Sequence, residues 1–371
     1  MVRVTTTALR EADAEAEATK VNQYRVQQVV GRGTYCQVKW AVDDNGRGYA
    51  LKDFSRNVLE RRRVARFDAN GASTVALGER IEEEVRILEQ LAHPQVMCLE
   101  EVIDDPDHGW FYMVLEGLAG GQIMSWDEGS CAYSVNSDSE AVNRLWGAAV
   151  QGGDSLHPVV AVFSEDFARY LFRQVVEGLA YLHEKEVVHK DLKPDNILLS
   201  NPTPCDARFV QLLNLSAWPQ LSARAAGGAA LGEVLASGGV AAKIGDFNTA
   251  ALCSAPDFLI YDAEGTVQFT PPECFMDSQS GVRGKPRDVW SLGCTFFVML
   301  FGRCPFWATE NIFLQLKIMQ EDLELPTGRE SVSPAALDFL QTSLQKEPSL
   351  RPTCQQLLET AWLKEPDKRI S

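Results

Sequence analysis

Four polar residues in two short stretches constrain this chain more than any other feature of its sequence. Asp191 is followed by Lys193 two positions on and by Asn196 five positions on, and Asp246 lies fifty positions after Asn196. In-line phosphoryl transfer needs such groups: a carboxylate beside the acceptor hydroxyl, a cation near the migrating phosphoryl group, and oxygen ligands for Mg²⁺. One loop can supply the first three groups, whereas the second metal ligand must approach from another strand.

Both stretches resemble the eukaryotic protein kinase family, the first its catalytic loop and the second its metal-binding turn. The resemblance implies that Asp191 orients the substrate hydroxyl and accepts its proton, and that Lys193 neutralises charge on the migrating phosphoryl group. Asn196 and Asp246 would hold Mg²⁺. ATP and Mg²⁺ are therefore the expected cofactors.

A glycine turn is predicted between two strands over residues 26–40, where apolar and polar residues alternate. Gly31 and Gly33 would let backbone amides approach the ATP phosphates without a Cβ atom in the way. The kinase pattern has a third glycine, which here is the small residue Cys36. Lys52 matches the strand lysine that grips the α and β phosphates, although a solvated strand lysine is the alternative. The resemblance also places three further residues around the nucleotide: Val38, Ala50 and Leu198.

A helix with one apolar face is predicted over residues 79–91 by the spacing of Ile81, Val85 and Leu88. Three consecutive glutamates lie within it, and a run of like charges is usually a solvated face. Kinases carry here a carboxylate that pairs with the strand lysine. Glu84 fits that role best because of its spacing from the apolar residues that follow, although the choice could shift by one position.

The hinge between two lobes is expected where the apolar strand 111–116 runs into a turn of small residues. The resemblance places the backbones of Glu116 and Leu118 against the adenine base. Insertions are expected over residues 53–78, 125–160 and 201–241. The first contains five arginines, which either dock an acidic surface of a protein substrate or form an exposed helix end. The resemblance implies that the third bulges from a hairpin of two short strands, away from the chemistry.

Composition and charge exclude several functional classes. A formal charge of −16 in 371 residues disfavours nucleic acid and anionic membranes as general partners, because both reward clustered Lys and Arg. Nine cysteines without a CxxC pair favour a reduced, cytoplasmic setting over a disulfide framework. The apolar run 296–301 is too short to span a bilayer. Residues 1–20 are rich in Ala and Glu, and we expect a disordered or loosely helical acidic tail there.

The resemblance implies an α+β protein kinase fold with two lobes over residues 24–364. The small N-lobe, 24–115, would be β-rich with one helix, and the larger C-lobe, 119–364, would be mainly helical. An activation segment is expected over 249–270. Farther along the C-lobe, Arg351 should be buried against Glu273, and the apolar helix that opens at Asp288 should be the central buried helix.

Two residues depart from the kinase pattern. Asn248 stands where the metal-binding turn normally ends in glycine, and Asn is among the few other residues that tolerate the left-handed region. Lys190 replaces an arginine that can clamp an activation-loop phosphate through two parallel hydrogen bonds. Our hypothesis is that a carboxylate of the loop, from Asp257, Asp262 or Glu264, takes the place of a phosphate opposite Lys190. The enzyme would then be active without prior phosphorylation.

Within the family the chain is most similar to the calcium/calmodulin-dependent protein kinase kinases and related upstream activators of AMP-activated protein kinase. The segments that carry this similarity are 84–94, 101–106, 111–116, 121–124, 164–166 and 301–306. The similarity implies a Ser/Thr kinase that acts on the activation loop of a downstream kinase, and Lys193 supports Ser/Thr over Tyr specificity. That group also carries a calmodulin-binding segment after the kinase domain. Because this chain stops nine residues past Trp362, calmodulin is a doubtful partner.

Two alternatives to this interpretation stay open. The first is a catalytically weak or silent pseudokinase that binds nucleotide as a scaffold. Pseudokinases typically lose the strand lysine, the catalytic aspartate or the metal-binding aspartate, and all three are present here. The second is an active kinase of another Ser/Thr branch with unrelated substrates.

Overall fold

The computed structural model describes a β-rich N-lobe and a mainly helical C-lobe. It covers residues 2–8, 10–12, 18–68, 70–135, 162–163, 165–200, 213–214, 241–253, 259–262, 264–276, 281–326 and 332–364. The helices are α1 (Arg56–Arg61), α2 (Leu77–Glu89), α3 (Glu165–Glu184), α4 (Gly284–Phe301), α5 (Asn311–Gln320), α6 (Pro334–Ser343), α7 (Cys354–Leu358) and α8 (Ala361–Lys364). The strands are β1 (Arg3–Thr5), β2 (Arg10–Ala12), β3 (Ala18–Val21), β4 (Tyr24–Arg32), β5 (Gln37–Val42), β6 (Gly48–Ser55), β7 (Arg63–Asp68), β8 (Gly71–Ala76), β9 (Leu99–Asp105), β10 (Trp110–Glu116), β11 (Gly121–Gln122), β12 (Met124–Asp127), β13 (Ala132–Val135), β14 (Val162–Phe163), β15 (Val187–Val188), β16 (Ile197–Leu199), β17 (Leu213–Asn214), β18 (Ala242–Ile244), β19 (Ala251–Leu252), β20 (Leu259–Ile260) and β21 (Val282–Arg283).

An eight-stranded sheet forms the N-lobe, in the order β1-β9-β10-β6-β5-β4-β3-β2. Strands β4, β5, β6 and β10 pair antiparallel with their neighbours. β4 ends at Arg32 and β5 begins at Gln37, which confirms the two strands and glycine turn predicted over 26–40. The strand that carries Lys52 is therefore central in the sheet.

The first residues of the chain extend this sheet at both of its edges. β1 pairs in parallel with β9, and β2 pairs with β3 beside β4. The buried carboxylate of Glu101 on β9 accepts a hydrogen bond from the Tyr24 hydroxyl at 2.7 Å and lies 3.3 Å from Arg3 Nη1. The prediction of a disordered tail over residues 1–20 is wrong for these strands. Pairing with distant residues orders a segment whose own composition favours no structure.

The N-lobe helix α2 confirms the helix predicted over 79–91. Ile81 and Leu88 are buried, as their spacing indicated. The insertion before α2 is shorter than 53–78, because β6 continues to Ser55 and α2 begins at Leu77. It consists of α1, which packs against α2, and of the β7–β8 hairpin.

Two buried helices form the centre of the C-lobe. Apolar residues recur at helical spacing along α3 and are fully buried: Phe167, Leu171, Val175, Leu179 and Leu182. Helix α4 begins at Gly284, four residues before Asp288, and is buried from Arg287 through Leu300. Arg351 donates to both carboxylate oxygens of Glu273, at 2.6 and 2.7 Å, which confirms the predicted buried pair. In the described part of the chain, no helix has both the length and the apolar character that crossing a membrane requires.

The short strands β16 and β18 confirm the hairpin predicted around the third insertion. They pair antiparallel, and Ser200 N donates to Ala241 O at 2.8 Å where the insertion leaves the hairpin. Between these two residues the structure describes only 213–214. The insertion predicted over 125–160 begins in the β12–β13 hairpin, and its remainder, 136–160, lies outside the described residues.

Candidate active site

The catalytic-loop residues form one hydrogen-bonded cluster around Asp191. The 3₁₀ helix Pro194–Asn196 turns the loop back, so that Asn196 Nδ2 donates to the Asp191 carbonyl oxygen at 2.7 Å and lies 3.2 Å from Asp191 Oδ2. Lys193 Nζ lies 3.1 Å from the same carboxylate oxygen. Thr266 N donates to the other oxygen, Oδ1, at 2.8 Å. Contacts to both oxygens fix the orientation of the Asp191 carboxylate.

The strand lysine joins three elements. Lys52 Nζ on β6 lies 2.9 Å from Glu84 Oε1 on α2 and 3.0 Å from Asp246 Oδ1. Burial alone would lower the pKa of Lys52, but the two carboxylates outweigh it and raise the pKa, so the ammonium stays charged. Burial would raise the pKa of Asp246, and the contact with Lys52 reverses this and lowers it. Of the three consecutive glutamates, Glu84 therefore pairs with the lysine, as its spacing indicated.

Backbone and side-chain contacts tie the metal-binding turn to the catalytic loop. The fully buried His189 ring lies with Nε2 2.9 Å from the Gly245 carbonyl oxygen, and Gly245 N donates to the Asn196 carbonyl oxygen at 2.9 Å. Phe247 is fully buried and packs edge-on against His189, with ring centroids 5.2 Å apart. Asp246 consequently lies next to the Asn196 side of the loop.

The turn has its left-handed residue at a different position from the one predicted. Asp246 has φ +58°, whereas Asn248 lies outside the left-handed region. Lys190, directly before the catalytic aspartate, has φ +68°. Non-glycine residues held in this region are strained, and such strain is typical of functional sites. The tolerance of Asn for that region therefore does not explain Asn248, whose Nδ2 instead lies 3.4 Å from Asp246 Oδ2.

Asn196 and Asp246 fit a Mg²⁺ ion by the chemistry of their oxygens. The amide nitrogen of Asn196 donates to Asp191, which leaves its amide oxygen to bind a cation. Asp246 uses Oδ1 for Lys52, and its side chain is 38% exposed. No group of three or more His, Cys, Asp or Glu side chains in the described ranges could hold a metal by itself. Mg²⁺ commonly binds through one or two carboxylates together with substrate phosphates, so this pair suits a nucleotide-bound ion.

Strand register brings the predicted nucleotide-binding residues together in the N-lobe. Val38 lies opposite both Gly31 and Lys52, and Ala50 lies opposite Leu115 at the end of β10. From the C-lobe, the Leu198 side chain packs against Gly245 in the metal-binding turn. The turn residue Cys36 is half-buried, and burial raises the pKa of its thiol, so it is not an activated nucleophile.

The hinge has its backbone constrained on both sides. Glu116 N donates to the Cys98 carbonyl oxygen at 3.0 Å, and the Leu118 carbonyl oxygen accepts from Gly121 N at 3.1 Å. Gly117 between them packs against Gly48, where an added Cβ would lie 2.5 Å from backbone atoms. The hinge therefore requires glycine at this position. Adenine binding by the backbones of Glu116 and Leu118 stays a prediction.

Two carboxylates of the activation segment contact Lys190. Its Nζ lies 2.9 Å from Asp262 Oδ2 and 3.0 Å from Glu264 Oε2, and its side chain is only 3% exposed. The predicted contact of Lys190 with a carboxylate is confirmed for both residues. The third candidate, Asp257, lies outside the described residues.

Sequence reasoning missed three residues of this region. Arg80 at the start of α2 donates to Glu264 Oε2 at 2.8 Å, and Arg287 on α4 donates to the backbone carbonyl oxygens of Asp262, at 3.0 Å, and Glu264. We call Arg80, Lys190, Arg287, Asp262 and Glu264 the acidic clamp. The third missed residue, Thr266, accepts a hydrogen bond at Oγ1 from Lys193 Nζ at 2.6 Å. Its position a few residues ahead of Glu273 was the only signal in the sequence, whereas Arg80 and Arg287 give none without the tertiary fold.

Residues 24–363 match the family model of the protein kinase domain. The chain belongs to the protein kinase family. This kinase is 30% identical to the serine/threonine-protein kinase GRIK1 of Arabidopsis thaliana over 373 residues, which cover all of the chain and 74% of that protein. It is 29% identical to the serine/threonine-protein kinase ssp1 of Schizosaccharomyces pombe, over 94% of the chain and 44% of that protein.

The comparisons identify the kinase as a eukaryotic Ser/Thr protein kinase without singling out one branch. Similarity to the calcium/calmodulin-dependent protein kinase kinase of Caenorhabditis elegans is 26% over 355 residues, 93% of the chain and 53% of that protein. This identity is lower than the identity to the plant and yeast kinases. Membership of the calcium/calmodulin-dependent protein kinase kinase branch therefore stays a prediction.

Proposed function

We propose that this Ser/Thr kinase transfers the γ-phosphoryl group of ATP through the cluster around Asp191. Asp191, fixed at both oxygens, would orient the substrate hydroxyl and accept its proton, a contribution of about 10² to 10⁴ in rate. Lys193, which contacts both Asp191 and Thr266, would neutralise charge beside the reacting oxygen. Asn196 and Asp246 would hold Mg²⁺, which neutralises phosphate charge when it is bound with ATP.

The main alternative is a catalytically silent scaffold, and the contact of Lys52 with both Glu84 and Asp246 favours an active enzyme over it. That contact joins helix α2, the central sheet and the metal-binding turn in one arrangement, as phosphoryl transfer requires. Radiolabelled phosphate transfer by wild type and by Asp191→Asn distinguishes the two. A scaffold would bind ATP and Mg²⁺ equally well in both forms and transfer phosphate in neither.

We further propose that the substrate is the activation loop of a downstream kinase. Support comes from the similarity to a protein named as a kinase kinase and from the arginines of the insertion before α2, several of which are exposed. In a chain of charge −16, an exposed basic cluster suits an acidic surface on a substrate. The setting proposed for this reaction is the cytoplasm, in keeping with the eight described cysteines, which are all free thiols.

The experiment is phosphate transfer to a panel of inactive kinases, including a catalytic subunit of AMP-activated protein kinase, with and without calcium and calmodulin. The proposal predicts phosphorylation of at least one activation loop, and the reactions with calcium and calmodulin show whether transfer responds to them. Transfer to generic peptides without transfer to any panel kinase would favour another Ser/Thr branch. Asp191→Asn serves as the matched control in every reaction.

The acidic clamp supports a second proposal, that the kinase is active without phosphorylation of its activation segment. The two carboxylates occupy the position opposite Lys190 where a phosphate would otherwise bring negative charge. They connect three elements that must be in place together: α2 through Arg80, the catalytic loop through Lys190, and α4 through Arg287. Protein shown by intact mass to carry no phosphate should therefore be active, and its activity should survive phosphatase treatment.

A further inference from the structure

The β12–β13 hairpin, with which the second predicted insertion begins, packs against the catalytic loop. Strand β12 contacts the 3₁₀ helix Pro194–Asn196. From β13, the Tyr133 hydroxyl donates to Asp195 Oδ2 at 2.8 Å. Asp195 lies between Lys193 and Asn196, two residues to which the proposed function gives a part in the reaction. The hairpin therefore contacts the loop at the centre of its functional stretch.

Contacts on several sides hold Tyr133 in place. Its backbone N donates to the Gly302 carbonyl oxygen at 2.7 Å, directly after the end of α4. Its ring packs edge-on against Phe269, three residues after Thr266, with centroids 6.0 Å apart, and against its cross-strand neighbour Trp126 at 5.2 Å. Aromatic pairs in this geometry are favourable beyond the area they bury. Because Tyr133 is only 4% exposed, its hydroxyl has a fixed position relative to the loop.

Asp195 shares its electrostatic environment with the reacting residues. Burial raises the pKa of Asp195, whereas the hydrogen bond from Tyr133 and the positive charge of Lys193 act in the opposite direction. Lys193 Nζ also lies 3.1 Å from Asp191 Oδ2, so one lysine interacts with two carboxylates of the same loop. A half-buried carboxylate oxygen that loses a donor gains most from another one, because a buried charge without a partner is costly.

We propose that Tyr133 is a positioning residue for phosphoryl transfer and that it acts through Asp195. By engaging Asp195, its hydroxyl keeps that carboxylate from drawing Lys193 away from Asp191. The same bond fixes the 3₁₀ turn that ends at Asn196. The inference rests on the proposed function, since it takes Asp191 and Lys193 as reacting groups. Misplacement of a reacting group by about 1 Å can cost about 10²-fold in rate.

The test is a double-mutant cycle on phosphate transfer by the full chain to a generic peptide that contains serine or threonine. Tyr133→Phe removes the hydroxyl and keeps the ring with its contacts to Phe269 and Trp126. We expect kcat to fall about tenfold, the effect of losing one hydrogen bond to a charged acceptor. ATP affinity in a binding titration should not change, because Lys52 keeps its contacts in the N-lobe.

The background of the substitution shows whether Tyr133 acts through Asp195. In Asp195→Ala, adding Tyr133→Phe should have little further effect on kcat, because the acceptor is already absent. Asp195→Asn keeps an acceptor oxygen and should remain sensitive to Tyr133→Phe. The matched control is Tyr49→Phe, which removes another tyrosine hydroxyl that donates to a carboxylate, Asp43 Oδ2 at 3.2 Å, in the N-lobe. Its kcat should equal that of wild type.

Each outcome decides the matter. Wild-type kcat in Tyr133→Phe, even with a lower midpoint of thermal unfolding, assigns Tyr133 a merely structural role, and it overturns the inference while the proposed function stands. An equal loss of kcat in the wild-type and Asp195→Ala backgrounds also overturns it. If Tyr133→Phe does not fold, Asp195→Ala is compared with Asp195→Asn: a kcat about tenfold lower supports the inference, and an equal kcat contradicts it. If wild type transfers no phosphate, the proposed function fails and the inference falls with it.

Discussion

Removing the negative charge of the acidic clamp should leave a folded but poorly active kinase. The perturbation is the double substitution Asp262→Asn with Glu264→Gln, which keeps side-chain shape and a hydrogen-bond acceptor at each position. Lys190, 3% exposed, would then have neutral partners in place of two carboxylates. The contacts of Arg287 with the backbone carbonyl oxygens of both residues would survive. The activation segment is therefore weakened without being detached.

The expected magnitude follows from three hydrogen bonds, the two from Lys190 and the one from Arg80 to Glu264. Bonds between charged partners contribute about 1.5–3 kcal/mol each, and bonds with a neutral partner about 0.5–1.5 kcal/mol. Because Asp262 and Glu264 are partly exposed, at 12% and 25%, the three exchanges together should cost the ordered segment about 2 kcal/mol of stabilisation. Because each 1.4 kcal/mol is tenfold in an equilibrium, the rate of transfer should fall by up to roughly 30-fold. KM for ATP should change little, as Lys52 keeps its contact with Glu84.

The assay is steady-state phosphate transfer to a peptide, with protein shown by intact mass to carry no phosphate. Glu82→Gln is the matched control, because Glu82 is 66% exposed on α2 and pairs with the exposed Arg86. Lys190→Met should also lower the rate, and adding it to the double substitution should cause less loss than it does in wild type, because all three changes weaken the contacts of Lys190 with the two carboxylates. Full activity of the double variant, or an unphosphorylated wild type that is inactive, would refute the reasoning.

Three further predictions concern other parts of the molecule. Asp191→Asn should lower kcat by about 10² to 10⁴ with unchanged ATP affinity in a binding titration; a smaller loss would exclude a role in proton transfer. Glu101→Ala leaves four donors on one buried carboxylate without their acceptor, so the midpoint of thermal unfolding should drop by about 5–10 °C. In a protein without residues 1–12, Glu101→Ala should lower the midpoint by less, because Arg3 and Thr5 are already absent. If the deletion and Glu101→Ala lowered the midpoint additively, the contacts of residues 1–12 with Glu101 would not contribute to stability. The Arg62 guanidinium lies 5.6 Å from the Tyr35 ring centroid at the glycine turn. A double-mutant cycle of Arg62→Ala and Tyr35→Leu on KM for ATP should give a coupling of about 0.5–1 kcal/mol, and zero coupling would show that the contact does not position the turn.

Local patterns predicted the parts of the fold that depend on neighbouring residues. The strands around the glycine turn and helix α2 both follow from periodicity within one element. The choice of Glu84 also came from spacing along one helix. Such patterns report which side of an element is apolar. The pairing of Glu84 with Lys52 was implied by the resemblance to kinases, and the structure confirms it.

Contacts between distant residues were beyond this reasoning. Arg3 meets Glu101 across 98 positions, so nothing near residue 3 indicates a strand. Arg80 and Glu264 are 184 positions apart, and only the packing of the two lobes makes them partners. Lys190 is an exception. Because lysine cannot clamp a phosphate through two parallel hydrogen bonds as arginine can, its presence predicted a carboxylate contact in place of a phosphate. A departure from a known pattern was thus informative where propensity was silent.

The position of residues 3–12 has a consequence for how the N-lobe meets other proteins. One short stretch supplies both outermost strands of the eight-stranded sheet, β1 and β2. Unpaired outer strands invite addition of a strand from another molecule, and thereby aggregation. A proteolytic cut or a bulky fusion ahead of β3 could displace both β1 and β2. Strands β9 and β3 would then become unpaired edges, and the N-lobe sheet could add a strand from another molecule on either side.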